Sequence, residues 1–152
     1  MANPLYGQNK ADGSLGWLSN SDGLKDHGTL GDNLTLTAHD MVNFVAHTCD
    51  PAGARNITTP TAEEIVSAIK VKASDGKCHN GDSFQCCFVN AGTAGADESC
   101  TMVAGTGVTL VGGVVVENYD ATHDAFSSGS GLFAVLVTDA GSSEAVSLIR
   151  LA

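Results

Sequence analysis

Four histidine and cysteine residues are the strongest candidates for metal chemistry. His47 and Cys49 are two positions apart, which would place both on one face of a strand, and Cys78 and His79 are adjacent. A structural zinc site uses four such ligands, usually as two closely spaced pairs. No C-x-x-C pair is present, however, and a hydrogen-bonded structural histidine at position 47 is the more ordinary outcome. We therefore predict no bound metal and no cofactor.

A catalytic nucleophile could be drawn from Cys49 or Cys100, with His39 or His123 as its base. Such a site needs the base within hydrogen-bond reach and a set of donors for an oxyanion. The sequence shows neither, and it lacks the G-x-S-x-G motif of a nucleophile elbow. We predict that the protein is not an enzyme.

Two further motifs could bind ions. Asp120 and Asp124 could coordinate calcium, but they lack the D-x-D-x-D-G spacing that brings several oxygens to one ion. The glycine-rich stretch VAGTGVTLVGGVVVENYD, residues 103–120, could cradle a phosphate, but it has no lysine followed by Ser or Thr. The stretch is instead typical of two strands joined as a hairpin by a glycine turn.

The charge distribution excludes several partners. The net charge is −10, and the segment between Lys77 and Arg150 holds eight carboxylates and no Lys or Arg. Nucleic acids and anionic membrane surfaces require cationic groups, so we expect neither as a partner. No apolar run approaches the length of a membrane span, and the N-terminus has no apolar signal core, so we expect synthesis in a cytoplasm. The five cysteines are then expected to be free thiols.

The composition predicts a mainly β protein. Glycine is abundant, with 18 residues, and aromatic residues make up only 5% of the chain. Residues 33–152 read as a β-sandwich or jelly-roll-like domain with one short helix, TPTAEEIVSAIK. That helix is capped either by Thr59, with Pro60 in its first position, or by a capping box of Thr61 and Glu64. Its apolar stripe consists of Ala62, Ile65, Val66 and Ile69.

Residues 1–32 are predicted to be an extended N-terminal arm. The segment is rich in Gly, Asn, Asp and Ser, and its large apolar residues are few, so it cannot build a core alone. It could be held by a partner or by its own domain. Its candidate assembly contacts are Leu5, Tyr6, Trp17 and Leu18.

The strand at residues 132–137 is apolar at both odd and even positions. Such a pattern indicates burial on both faces of the sheet. One short helix cannot cover several strands, so we expect another subunit on the second face and therefore a homo-oligomer. Phe133, Val135 and Val137 are the candidate assembly contacts from this strand.

Four segments resemble a module found in virion proteins of tailed phages and related viruses. They are ARNITTPTAEEIVSAI, GDSFQCCFVNAG, TMVAGTGVTLVGG and GSGLFAVLVTDAGSSEAVSLIRL, which lie within residues 54–151. The resemblance implies a β-sandwich or jelly-roll-like domain in a particle-surface protein, either a capsid decoration (cement) protein or part of a head or tail fibre. It also implies a trimer seated over junctions between major capsid subunits.

The expected function is therefore non-enzymatic stabilisation of a viral capsid. The partners would be the major capsid protein and further copies of the chain, expected as a trimer, and the location would be the capsid surface after synthesis in the host cytoplasm. The alternative is a fibre module that binds a receptor or glycan, although few aromatic residues, such as Trp17 and Tyr119, are candidates for a sugar platform. A small cysteine hydrolase or zinc protein is the third possibility.

Overall fold

The computed structural model describes residues 22–92, 98–118 and 129–152. These residues form a mainly β fold with two mixed sheets and two helices. The predicted contacts Leu5, Tyr6, Trp17 and Leu18 lie outside the described residues, as do Tyr119, Asp120, His123 and Asp124. The strands are β1 (Asp22–Leu30), β2 (Leu34–Thr35), β3 (Phe44–Pro51), β4 (Arg55–Thr58), β5 (Ser83–Asn90), β6 (Ser99–Val103), β7 (Val108–Val111), β8 (Val115–Glu117), β9 (Ser130–Asp139) and β10 (Ala145–Arg150); the helices are α1 (Ala38–Asn43) and α2 (Ala62–Lys72).

The larger sheet has six strands in the order β1-β3-β5-β9-β10-β7. Strands β1, β3 and β5 are parallel, whereas β9 is antiparallel to both β5 and β10, and β7 is parallel to β10. The smaller sheet has the order β2-β4-β6-β8, with only the β6–β8 pair antiparallel. Parallel pairs need crossover connections, and both helices lie in such connections.

Helix α2 follows its sequence pattern. Thr61 is the N-cap, its hydroxyl accepts a hydrogen bond from the Glu64 backbone N–H, and the Glu64 carboxylate accepts one from the Thr61 N–H. The capping box is therefore confirmed over the alternative cap at Thr59. The predicted stripe of Ala62, Ile65, Val66 and Ile69 is buried.

Helix α1 corrects the prediction of a single helix. The residues from Leu34 onward alternate like a strand, but β2 ends at Thr35 and Thr37 then caps α1 by accepting a hydrogen bond from the Asp40 N–H. Met41 and Val42 are buried on this helix. Val42 therefore enters the core from a helix rather than from a strand, because the local cap at Thr37 overrides the alternating pattern.

The glycine-rich stretch does not form the predicted hairpin. Strand β6 belongs to the smaller sheet and pairs with β8, whereas β7 between them leaves that sheet and pairs with β10. The glycine turn at residues 104–107 is thus a crossing point between the two sheets. Parallel pairing between β7 and β10 is a contact between distant segments, which a local hairpin pattern cannot reveal.

Strand β1 lies within the segment predicted to be an arm. Residues 22–30 pair in parallel with β3 and form one edge of the six-stranded sheet, with an irregularity in register between Asp26 and Thr29. This part of the segment therefore belongs to the folded domain, and an arm remains a prediction for residues 1–21.

One hydrophobic core joins the two sheets and the helices. It contains apolar side chains from β3, β5, β9 and β10 of the larger sheet, from β4, β6 and β8 of the smaller sheet, and from both helices. Among the described residues, no helix is long and apolar enough to cross a membrane.

Candidate functional site

Strand β9 places its two sets of apolar residues on opposite faces. Phe133, Val135 and Val137 are 2%, 0% and 1% exposed and belong to the core of the single chain. They are therefore not available as assembly contacts, which corrects the sequence prediction. The outward positions of this strand are Leu132, Ala134 and Leu136, which are only partly buried.

The outward positions continue across the whole sheet as an apolar band. From β1 to β9, the register pairs are Leu24 with Ala46, Ala46 with Cys87, and Cys87 with Leu132. From β9 to β7, they are Ala134 with Ile149 and Ile149 with Val111. We call this set the outer stripe; its residues are Leu24, Ala46, Cys87, Leu132, Ala134, Leu136, Ile149 and Val111. Leu24 is 58% exposed at one edge and Val111 is 45% exposed at the other.

Polar neighbours of the outer stripe are mostly uncharged. Gln85 pairs with Ala134, and Ser147 pairs with Leu136. The carboxylates at outward positions of this face include Asp26 of β1 and Asp50 of β3, which lie toward one margin. The arrangement can bury apolar area against a partner.

The sequence of β9 indicated that its outward face is apolar. Apolar residues at both odd and even positions of β9 indicated that both faces are apolar, but they could not show which set points toward the core. That choice depends on the smaller sheet and the helices, which cover the face bearing Phe133 and Val135.

A histidine pair connects the edge strand to the core. His27 Nε2 and His47 Nδ1 are 3.2 Å apart, and the rings stack with centroids 5.5 Å apart. His47 also stacks on Phe88, and Phe88 meets Phe133 edge to face. His47 is 1% exposed, and its Nε2 has no hydrogen-bond partner among the residues that the structure describes. Burial lowers the pKa of His47 to about 4 and also lowers that of His27, because the charged imidazole loses its hydration.

A thiol pair connects the two sheets. Cys49 of β3 and Cys100 of β6 are both buried, and their sulfurs are 3.3 Å apart. The hydrogen bond between the thiols lowers the pKa of Cys49 and raises that of Cys100. All five cysteines are free thiols in this structure.

The candidate zinc ligands are not brought together. His47 and Cys49 share the core face of β3, as predicted, but Cys78 and His79 lie in the loop before β5. There the His79 backbone N–H donates to Asp82, and burial raises the pKa of Cys78 to about 12. Within the described ranges, no group of three or more His, Cys, Asp or Glu side chains could hold a metal ion.

The candidate nucleophiles have no positioned base in the described parts of the chain. His39 lies on α1 and is exposed, with its Nδ1 3.6 Å from Asp40, while the polar partners of the Cys49 thiol are the Cys100 thiol and the Val89 carbonyl. His123 lies outside the described residues. Grooves of about 370 Å³ and 450 Å³ border α2, and acidic and hydroxyl side chains such as Glu63, Ser67 and Ser143 line them.

The glycine turn after β6 packs against the segment at the start of α2. The Gly105 N–H donates to the Thr59 hydroxyl, and the Ala62 N–H donates to the Thr106 carbonyl. A Cβ at Gly105 would lie 2.4 Å from the Pro60 carbonyl oxygen. Glycine is therefore required at position 105 so that the backbone can approach the start of α2. The Gly105 N–H is already used in a bond to Thr59, so it does not bind a phosphate.

Comparison with known proteins found no matching family model, no similar curated protein and no similar solved structure.

Proposed function

We propose that this protein is a non-enzymatic capsid decoration protein that binds the outer shell of a virus particle and stabilises contacts between major capsid subunits. The observation that carries the proposal is the outer stripe, an apolar band that crosses all six strands opposite the core. The sequence resemblance to virion surface modules supports the same function. The proposed domain is sandwich-like or jelly-roll-like, and the proposed oligomer is a trimer.

The physical argument begins with the cost of leaving the outer stripe in water. Apolar area contributes roughly 25 cal/mol per Å² when it is removed from water, so a continuous apolar face favours association. The net charge of −10 opposes association through the rest of the surface, because like-charged surfaces repel. A largely uncharged band therefore gives the strongest available contact, both for copies of the chain and for a shell.

The polar surface supports a structural role. The described grooves lie beside α2 rather than on the outer face, and their linings mix acidic, hydroxyl and small apolar side chains. An assembly protein needs contact area and shape instead of a reactive pocket.

The experiment is reconstitution with empty shells of the major capsid protein from the same source. Purified chain is mixed with shells and sedimented, and its bound fraction is measured. We expect saturable binding by the unaltered chain. Ala134→Glu places a charge in the middle of the outer stripe and should reduce binding at least tenfold.

Val71→Glu is the matched control, because it adds the same charge at a side chain that is 87% exposed on α2. This variant should bind like the unaltered chain. Equal binding by Ala134→Glu, with its fold confirmed by circular dichroism, would contradict the role of the outer stripe. Failure of the unaltered chain to bind would contradict the decoration function.

A further inference from the structure

Two cysteines from different sheets meet in the core. Cys49 lies on β3 of the six-stranded sheet and Cys100 lies on β6 of the four-stranded sheet, 51 positions later in the chain. Their sulfurs are 3.3 Å apart, and the side chains are 4% and 1% exposed. A bond between them would therefore join the two sheets directly.

The other cysteines are placed differently. Cys86 faces the core from β5, Cys87 belongs to the outer stripe, and Cys78 lies in the loop before β5. Burial raises the pKa of Cys78 and of Cys86 to about 12, so both thiols resist ionisation. The pKa of Cys49 is lowered instead, because the Cys100 thiol hydrogen-bonds to it. Since the thiolate is the reactive form, Cys49 is the favoured nucleophile of the set.

The geometry points to Cys49 and Cys100 as a redox site that a small peroxide converts into an inter-sheet disulfide. The inference does not depend on the proposed capsid function. The pair is a modification site of the folded chain, and the disulfide locks the two sheets together.

The chemistry proceeds in two balanced steps with hydrogen peroxide. The Cys49 thiol first releases its proton, and the thiolate attacks one peroxide oxygen; an S–O bond forms, the O–O bond breaks, and the departing hydroxide combines with the released proton to give water. Cys49 is then a sulfenic acid, oxidised by two electrons. The Cys100 sulfur attacks the Cys49 sulfur, the S–O bond breaks, and the hydroxide leaves with the Cys100 proton as a second water.

The disulfide should stabilise the fold substantially. A cross-link between residues this far apart removes conformations from the unfolded chain, which raises the folding equilibrium constant by roughly 100- to 1,000-fold. Because the link joins β3 to β6, it opposes separation of the two sheets in the folded chain. Addition of a thiol reductant should reverse the gain.

The test is peroxide treatment of the folded 152-residue chain, followed by alkylation of free thiols and non-reducing peptide mapping. No Lys or Arg lies between Lys77 and Arg150, so cleavage beside acidic residues is needed to separate the cysteines. Asp82, Asp97 and Glu98 provide those sites. We expect one intramolecular link, Cys49–Cys100, and a higher urea midpoint that a reductant abolishes.

Two variants test whether the link is specific. Cys87→Ser should give the same link, because Cys87 lies on the outer stripe, away from the core. Cys100→Ala should give no link. Should Cys100→Ala fail to fold, the map of the unaltered chain decides alone. A link through any other cysteine, or oxidation of Cys49 without a link, would overturn the inference. A Cys49–Cys100 link that leaves the urea midpoint unchanged would overturn the claim that it locks the sheets.

Discussion

His27 and His47 share one hydrogen bond, 3.2 Å long, between the edge strand β1 and its neighbour β3. One imidazole must donate and the other must accept, so the pair cannot be fully protonated and keep this bond. Lys25, Asp26 and Asp40 are the charged groups near the pair. We therefore expect the attachment of β1 to depend on pH.

The first prediction is a loss of stability in mild acid. Unfolded histidine binds a proton near pH 6.5, whereas buried His47 has a pKa of about 4, so protonation favours the unfolded chain. The stabilising contribution is present above pH 6.5 and is lost as the pH falls toward 4. Between pH 7.5 and pH 5 we expect a loss of about 2 kcal/mol from this group, measured by urea unfolding.

Carboxylates add their own pH dependence, so a comparison of variants is required. His47→Gln should show a smaller loss over the same pH interval, whatever its stability at pH 7.5. His39→Gln, at a side chain that is 75% exposed, should retain the loss seen in the unaltered chain. Equal slopes for His47→Gln and the unaltered chain would show that His47 does not carry the effect.

The second prediction separates the two faces of β9. Phe133→Ala should lower the free energy of unfolding by about 3–5 kcal/mol, because it leaves a cavity in the core. Leu132→Ala, one position earlier but on the outer stripe, should cost about 1 kcal/mol or less. Urea unfolding of both variants checks this difference. Similar costs would mean that the assignment of the faces is wrong.

The third prediction concerns the glycine turn between the sheets. Gly105→Ala forces a methyl group against the Pro60 carbonyl and should destabilise the chain by about 1–3 kcal/mol. Gly113→Ala is the matched control, because a methyl group there meets no atom within 4 Å. Thermal unfolding of the two variants should differ clearly, and a neutral Gly105→Ala would refute the close approach.

The fourth prediction concerns the start of α2. Thr61→Ala removes the hydroxyl that accepts from the Glu64 N–H, and it should cost about 1 kcal/mol. Thr61→Ser keeps the hydroxyl and should restore most of that stability. Urea midpoints of the two variants provide the measurement. Equal loss in both would indicate that the methyl group, rather than the cap, stabilises this position.

The sequence predicted the elements whose signals are local. Helix α2 was recognisable because its capping box and its apolar stripe lie within a few residues of each other. Phe84, Cys86 and Phe88 alternate with less buried residues in SFQCCFVN, and they share one buried face of β5. In each case, neighbouring residues along the chain contain the whole pattern.

The elements that were mispredicted depend on distant contacts. Strand β7 leaves the smaller sheet to pair with β10, and no residue near Val108 signals a partner that lies almost 40 positions later. The outward parity of β9 likewise depends on what covers Phe133. The meeting of Cys49 and Cys100 requires the register of both sheets, so sequence spacing alone could not predict it.

The most direct test of the central claim is quantitative mass spectrometry of purified virus particles from the source of this sequence. Copies of the chain are counted against the major capsid protein. The decoration function predicts a near-stoichiometric ratio. Absence from particles would contradict any role in the virion, and a handful of copies per particle would contradict decoration and favour a fibre component.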